Sequence, residues 1–358
     1  MKKSYKIAIG MNIQKGPFGG GNGFGQTLVD FLKHQGIMVV HSLKDPDIDL
    51  ILLTETRPWL KTCAFDTSAV IKYLHKKRDT LIVLRINECN ERKGGKIKLL
   101  NKFILQNAKW ADQVIFISAW LQNLFLRPDP SLKHKSTVIL NGADEKIFNP
   151  LGYKKWEGKG PLRLVTHHWG AHWYKGFDVY LYLDQLCEGK LKDKVQFTFI
   201  GNLPKNIRFK NTNVLPPKMG KILAMKLKEN HIYLTASINE PAGMHHIEGA
   251  LCGLPLLYRN SGALPEYCQG YGITFQGPED LRQKLMILSK QYSDLADKMS
   301  AYPYTAEKMS RLYYQLFLDL LQNKKNLLQK RNSKNSHLLS HQVLQKILYL
   351  QEKCLINI

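Results

Sequence analysis

The sequence predicts an α/β protein of two doubly wound domains in series, each a parallel sheet covered by helices, followed by a helical tail. Three observations lead there. At 358 residues the chain exceeds one ordinary compact core and suits two domains of roughly 150 residues plus extras. Apolar, β-branched runs alternate with segments of helical period, the signature of a parallel sheet with helices on both faces. The alternation also stops, at Pro150 and the polar, glycine-containing stretch 152–160, and then restarts.

In the first half the expected strands are 6–10, 37–41, 50–54, 80–86, 113–117 and 137–140, separated by helices at 25–35, 67–78, 96–108 and 119–125. In the second half strands are expected at 162–166, 195–201, 231–235, 256–258 and 273–275, with helices at 177–187, 218–228, 245–252 and 278–299. Domains of this kind bind ligands outside the carboxyl ends of their strands, here in a central cleft that the two domains face. An amphipathic helix is expected over 305–320, then a polar, basic stretch over 322–336 and a second periodic segment over 338–350.

Composition narrows the partners. Lys and Arg exceed Asp and Glu by 23, so polyanions are attracted: nucleic acid, an anionic membrane surface or small phosphates. Residues 321–358 hold seven Lys/Arg and one Glu, which suits equally peripheral contact with an anionic membrane and a peripheral helix packing on the domains. No apolar run reaches 18 residues, so no membrane span is expected. The start MKKSYKIAIG reads as a first strand rather than a leader, giving a cytoplasmic protein. Cys63, Cys89, Cys187, Cys252, Cys268 and Cys354 lack CxxC spacing and read as free thiols.

Three stretches carry the chemistry. Glu240-Pro-Ala-Gly-Met-His-His-Ile-Glu248 follows an apolar strand and opens a helix that stops at Gly253-Leu-Pro255. Two carboxylates there suit sugar and ribose hydroxyls, while N–H groups around Gly243, Met244 and His245 suit a diphosphate. Spacing alone weighs this evenly against a helix start whose acids complement the dipole. The run Gly16 to Gly25, which includes Gly20 and Gly21, reads as a loop after the first strand. It is neither a complete dinucleotide fingerprint nor a Walker A loop. His167-His168 and Lys175-Gly176 follow the first strand of the second half, where Lys175 suits a phosphate. The histidines match no zinc spacing, so no metal site is expected. Arg85-Ile86-Asn87-Glu88 leaves a first-half strand at the carboxyl end.

Taken in order, these elements resemble the family 4 retaining glycosyltransferases of the GT-B superfamily, over roughly residues 5–320. Ala111-Asp112-Gln-Val-Ile-Phe-Ile-Ser118 is similar to the family's ADxVIxxS element, and Val138-Ile-Leu-Asn141-Gly142-Ala-Asp144 to its VIPNGVD element. The glycine run and the Glu-x7-Glu element with its trailing Gly-x-Pro complete the set.

The resemblance implies an acceptor-side domain at 1–150 and a donor domain at 151–300. A helix at 301–322 would cross back to the first domain, and 323–358 would form the basic tail. It implies a UDP- or GDP-hexose donor, an acceptor hydroxyl, no metal and no other cofactor. Glu240 would contact the sugar, Glu248 the ribose, and Lys175 the diphosphate with backbone near Gly20, Gly21, Gly243 and Met244. The family's partner arginine falls on Gly170, so either His168 or Arg163 substitutes or the diphosphate is held differently, and its first-domain histidine is replaced by Asn87 beside Arg85. Alternatives are a nucleotide-sugar-binding protein without turnover and a GT-B enzyme that glucosylates DNA. No base-reading module supports nucleic acid. A nicotinamide oxidoreductase is disfavoured because His41-Ser42 stands where an acidic residue is needed.

Overall fold

A computed structural model describes residues 5–14, 20–95, 99–332 and 338–356. The chain groups into two compact units, described separately. The first contains residues through Gln14, Gly25–Leu140 and the chain from Met309 on; the second contains residues 20–24 and Asn141–Lys308.

The first unit holds strands β1 (Lys6–Ile9), β2 (Met38–Val40), β3 (Leu50–Leu53), β4 (Leu81–Ile86), β5 (Gln113–Phe116) and β6 (Ser136–Val138). All pair parallel, in the order β2-β1-β3-β4-β5-β6. Every residue of β3 and β4 is buried, which explains why both read as continuous apolar runs in the sequence. Its helices are α1 (Gly20–His34, belonging to this unit from Gly25 on), α2 (Thr67–Lys76), α3 (Leu100–Trp110) and α4 (Ala119–Leu126). Asp66 and Ser118 cap α2 and α4 by accepting from Ala69 N and Leu121 N.

The glycine run differs from expectation. Residues 20–25 form the first turns of α1 rather than a loop, and residues 15–19 lie outside the described residues. A Cβ on Gly25 would strike Met11 Sδ, and one on Gly20 would meet Met244 Cβ at 2.8 Å. Close packing therefore explains two of these glycines, offsetting their helical cost of about 0.5–1 kcal/mol each.

In the second unit the strands are β7 (Leu162–His168), β8 (Val195–Gly201), β9 (Asn213–Leu215), β10 (Ile232–Thr235), β11 (Leu256–Arg259) and β12 (Gly272–Phe275), ordered β12-β11-β10-β7-β8-β9 and all parallel. The strand direction of growth reverses between β7 and β10. That crevice is the switch point at which such sheets bind ligands. Helices α5 (Phe177–Glu188), α6 (Gly220–Lys228), α7 (Met244–Leu251), α8 (Leu264–Cys268), α9 (Pro278–Lys290) and α10 (Tyr292–Lys298) complete it. The helix expected over 278–299 thus breaks at Gln291, where the Tyr292 hydroxyl turns inward to Tyr153 Oη at 2.6 Å and to Trp156 N at 3.1 Å.

The chain after Ala306 is helical: α11 (Ala306–Gln322), α12 (Lys324–Asn332) and α13 (Leu338–Ile356). The described part of the polar, basic stretch forms α12, where its cations find partners. Arg331 pairs with buried Asp112 and donates to Thr80 O at 2.8 Å, and Lys324 pairs with Asp79. Helix α13 lies on α2 and α3, burying Leu344, Leu348 and Glu352. Glu352 accepts from Arg57 Nη1 at 2.9 Å and from Trp59 Nε1 at 2.7 Å. Cys63, Cys89, Cys187, Cys252 and Cys268 are free. No helix among the described residues is long and apolar enough to cross a membrane.

Two outcomes test this packing. Arg331→Ala strands the Asp112 carboxylate and is expected to cost the first unit about 2 kcal/mol, read by urea unfolding. Glu352→Ala is expected to speed amide exchange in α13 and around Arg57 while the β3 and β4 amides stay protected. Unchanged α13 exchange would show that Glu352 does not anchor the helix.

Candidate functional site

The switch point of the second unit is built by two strand ends. Strand β7 finishes in His167-His168, and a single 3-10 turn over Trp173–Lys175 leads into α5. Gly176 closes that turn at φ 97°, a left-handed conformation open to glycine, and a Cβ there would run into Ala236. Strand β10 ends at Thr235, and the loop beyond it carries Asn239 at φ 52° immediately before Glu240. Asn tolerates this region better than most residues. Its N–H donates to Ser261 Oγ at 2.9 Å, and Glu240 O accepts from Ala263 N at 2.8 Å. The loop after β11 thereby fixes the backbone of Glu240.

These turns aim Lys175 and Glu240 at each other. Lys175 Nζ lies 2.6 Å from Glu240 Oε2, with side-chain exposures of only 7% and 4%. The two residues, 65 apart in sequence, form the one buried lysine–carboxylate pair among the described residues of this unit.

Beside the pair lie imidazoles and phenols. His167 Nε2 stands 2.7 Å from Glu248 Oε2, and its Nδ1 stands 3.0 Å from Tyr233 Oη. A carboxylate only accepts, so Nε2 carries a proton toward Glu248, and Nδ1 faces the Tyr233 hydroxyl. Glu248, in the second turn of α7, is oriented by this chain. His168 Nε2 meets Tyr180 Oη at 2.7 Å, and His245 Nε2 meets Thr235 Oγ1 at 2.8 Å. Burial first, then nearby Lys175 and His167, pushes the His168 pKa far below the usual imidazole range. Burial and the neighbouring His168, His246 and Lys175 do the same to His245. His246 is wholly buried with no hydrogen bond at either ring nitrogen, and burial lowers its pKa to about 3. The histidines with lowered pKa values are therefore neutral at pH 7, leaving Lys175 as the cation beside Glu240.

The other expected residues fall as follows. Gly243 is the N-cap of α7, with Met244 and His245 in its first turn, so their N–H groups point out of the helix start. Gly20 packs on Met244, while Gly21 has open space around its Cα. Arg163 donates from Nε to Glu229 O on an exposed surface. Arg163 and His168 thus carry no charge to Lys175: one is engaged elsewhere, the other is neutral.

In the first unit, Arg85 is buried and donates from Nε to Tyr313 Oη at 3.2 Å, and Asn87 is half-buried. Both line a pocket at the ends of β3 and β4, with Glu55, Arg57, Glu88 and Asn107. Burial opposes ionisation of Glu88, but Arg92, Arg57 and Lys93 together hold its carboxyl below the usual range. No three His, Cys, Asp or Glu side chains among the described residues are grouped to hold a metal. Sequence reasoning missed Tyr180 and Tyr233 as site residues, since both occupy ordinary core positions of α5 and β10.

The histidine cluster sets an acid response. His246, neutral in the fold and protonated in the unfolded chain, favours unfolding as pH falls from about 6.5 toward about 3. Its contribution is up to about 1.4 kcal/mol per pH unit in that window. His246→Phe, which keeps the ring against Tyr267, is expected to flatten the acid loss of second-unit stability in thermal melts between pH 7 and 4. An unchanged slope would show that other groups carry it.

No protein-family model matches the sequence, and no curated protein does. Solved structures match along most of the chain. A glycosyltransferase from Rickettsia africae is 13% identical with a TM-score of 0.62, covering 90% of this chain and 100% of that one. Sucrose-phosphate synthase from Thermosynechococcus elongatus is 14% identical with a TM-score of 0.63, covering 89% and 100%. Anabaena HepE, solved in complex with UDP-glucose, is 13% identical with a TM-score of 0.63, covering 89% and 100%. At such identities the likeness establishes the fold: two parallel-sheet α/β domains of GT-B type with a helical C-terminal segment.

Proposed function

We propose that this protein is a glycosyltransferase that moves a hexose from a UDP- or GDP-linked donor to an acceptor hydroxyl in the cytoplasm, with retention of configuration. The observation that carries the reading is the Lys175–Glu240 pair at the switch point of the second unit. It lies where open α/β sheets take nucleotides, beside the start of α7. The fold it sits in is shared with HepE, which was solved with UDP-glucose.

Under this reading Glu240 takes the sugar hydroxyls and Glu248, steadied by His167, takes the ribose. Lys175 and the N–H groups at Met244 and His245 receive the charge that grows on the leaving diphosphate. These groups do that work without a bound metal. Arg85 and Asn87, in the pocket of the first unit, are the candidates for binding the acceptor. The glycosyl bond to the diphosphate breaks as the bond to the acceptor oxygen forms, and the acceptor proton leaves with the solvent or the diphosphate.

A screen of nucleotide sugars tests the proposal. A UDP- or GDP-hexose is expected to raise the melting temperature and to be hydrolysed slowly without acceptor. Glu240→Gln is expected to lower that turnover by about 100-fold or more, and Glu248→Gln to weaken nucleotide binding first. Proton NMR of the product then reads the anomeric configuration. Full activity in Glu240→Gln would sink that residue's role, inversion would sink the retaining assignment, and binding without turnover would make the protein a nucleotide-sugar sensor.

A further inference from the structure

The helical layer formed by α2, α3 and α13 in the first unit has an uneven surface. Helix α13 buries one side, Leu344, Leu348 and Glu352, on its neighbours. The opposite side presents Val343, Ile347 and Leu350 to solvent at 59%, 47% and 53% exposure. Their i, i+4, i+7 spacing makes one continuous aliphatic stripe. Lys346 and Lys353 are exposed along one edge of it, with Lys353 also reaching over the Tyr349 ring at 5.9 Å.

Charge on the layer is one-sided. Helices α2 and α3 contain no Asp or Glu, and they expose Lys72, Lys76, Lys102 and Lys109. The single acid of α13, Glu352, is buried against Arg57 and Trp59. The three helices together therefore expose six lysines and no carboxylate. An aliphatic stripe bordered by cations is the pattern of a helix lying in the headgroup region of an anionic bilayer. A second copy of this chain would bring like charge to like, at a net +23 each. A nucleic acid would engage the lysines but leave the aliphatic stripe in water.

We propose that the outward face of α13, centred on Val343, Ile347 and Leu350, docks this protein on an anionic phospholipid surface, with the lysines of α2, α3 and α13 facing the headgroups. The inference goes beyond the sugar-transfer reading and does not depend on it.

Cosedimentation of the full-length protein with vesicles, in the absence of any nucleotide sugar, tests it. Binding to vesicles of phosphatidylglycerol and phosphatidylcholine is expected, with little binding to phosphatidylcholine alone and a steep decline with salt. The triple change Val343→Ser, Ile347→Ser and Leu350→Ser alters only exposed side chains and is expected to keep the melting temperature. It should lower partitioning about tenfold or more. A triple variant that sediments like the wild type would overturn the proposal. So would short duplex DNA bound equally by both proteins in place of vesicles, or a dimer that the triple change dissolves.

Discussion

A lysine and a glutamate taken out of water together set the terms for the second unit. Burying two charges costs several kcal/mol each, and their attraction offsets this only when the geometry is good. Here it is supplied by parts of the chain far apart in sequence: the tight turn at Gly176, Asn239 in a left-handed conformation, and the loop after β11 that holds the Glu240 carbonyl. Neighbouring apolar residues would stabilise the same space at lower cost. What the pair gives instead is two fixed, opposite charges at the point where the sheet opens, already desolvated and needing little reorganisation to meet a charged ligand.

The surroundings make sense as a consequence. His168, His245 and His246 lie beside Lys175, and each is driven by burial toward its neutral form. Had they kept ordinary imidazole pKa values, protonation in mild acid would add positive charge next to the lysine. The phenols of Tyr180 and Tyr233 satisfy His168 and His167 without adding charge. With His168, His245 and His246 neutral, Lys175, Glu240 and Glu248 dominate the local field.

How much of this was legible depends on where the information sits in the chain. Fully buried strands such as β3 and β4 announce themselves as apolar runs, and the two-unit plan follows from the alternation of strands with helices. Strand β9, Asn213–Leu215, is three residues on a half-exposed edge and carries no such run. The break at Gln291 is invisible to periodicity because it is made by Tyr153 and Trp156, well over a hundred residues away. Glu240, Glu248 and Lys175 could be singled out because each follows a strand end. The partners that orient them could not. Tyr233 reaches His167 only because β10 lies beside β7, a matter of strand order that neither segment encodes alone.

Net charge shows the same limit in another form. A total of +23 says that the protein attracts anions, but not where. In the C-terminal segment the structure divides cations that look equivalent in the sequence. Arg331 and Lys324 are spent on Asp112 and Asp79, fastening α12 to the first unit. Lys346 and Lys353 border an aliphatic stripe with no acid exposed among the adjoining helices. Location matters because screening confines an exposed charge's influence to about 8–10 Å at physiological salt. A lysine held against a carboxylate adds little to a distant field, whereas six lysines on one helical layer act together. The apolar side chains among them give that layer a preference that charge alone lacks, since only an interface with both headgroups and hydrocarbon answers both.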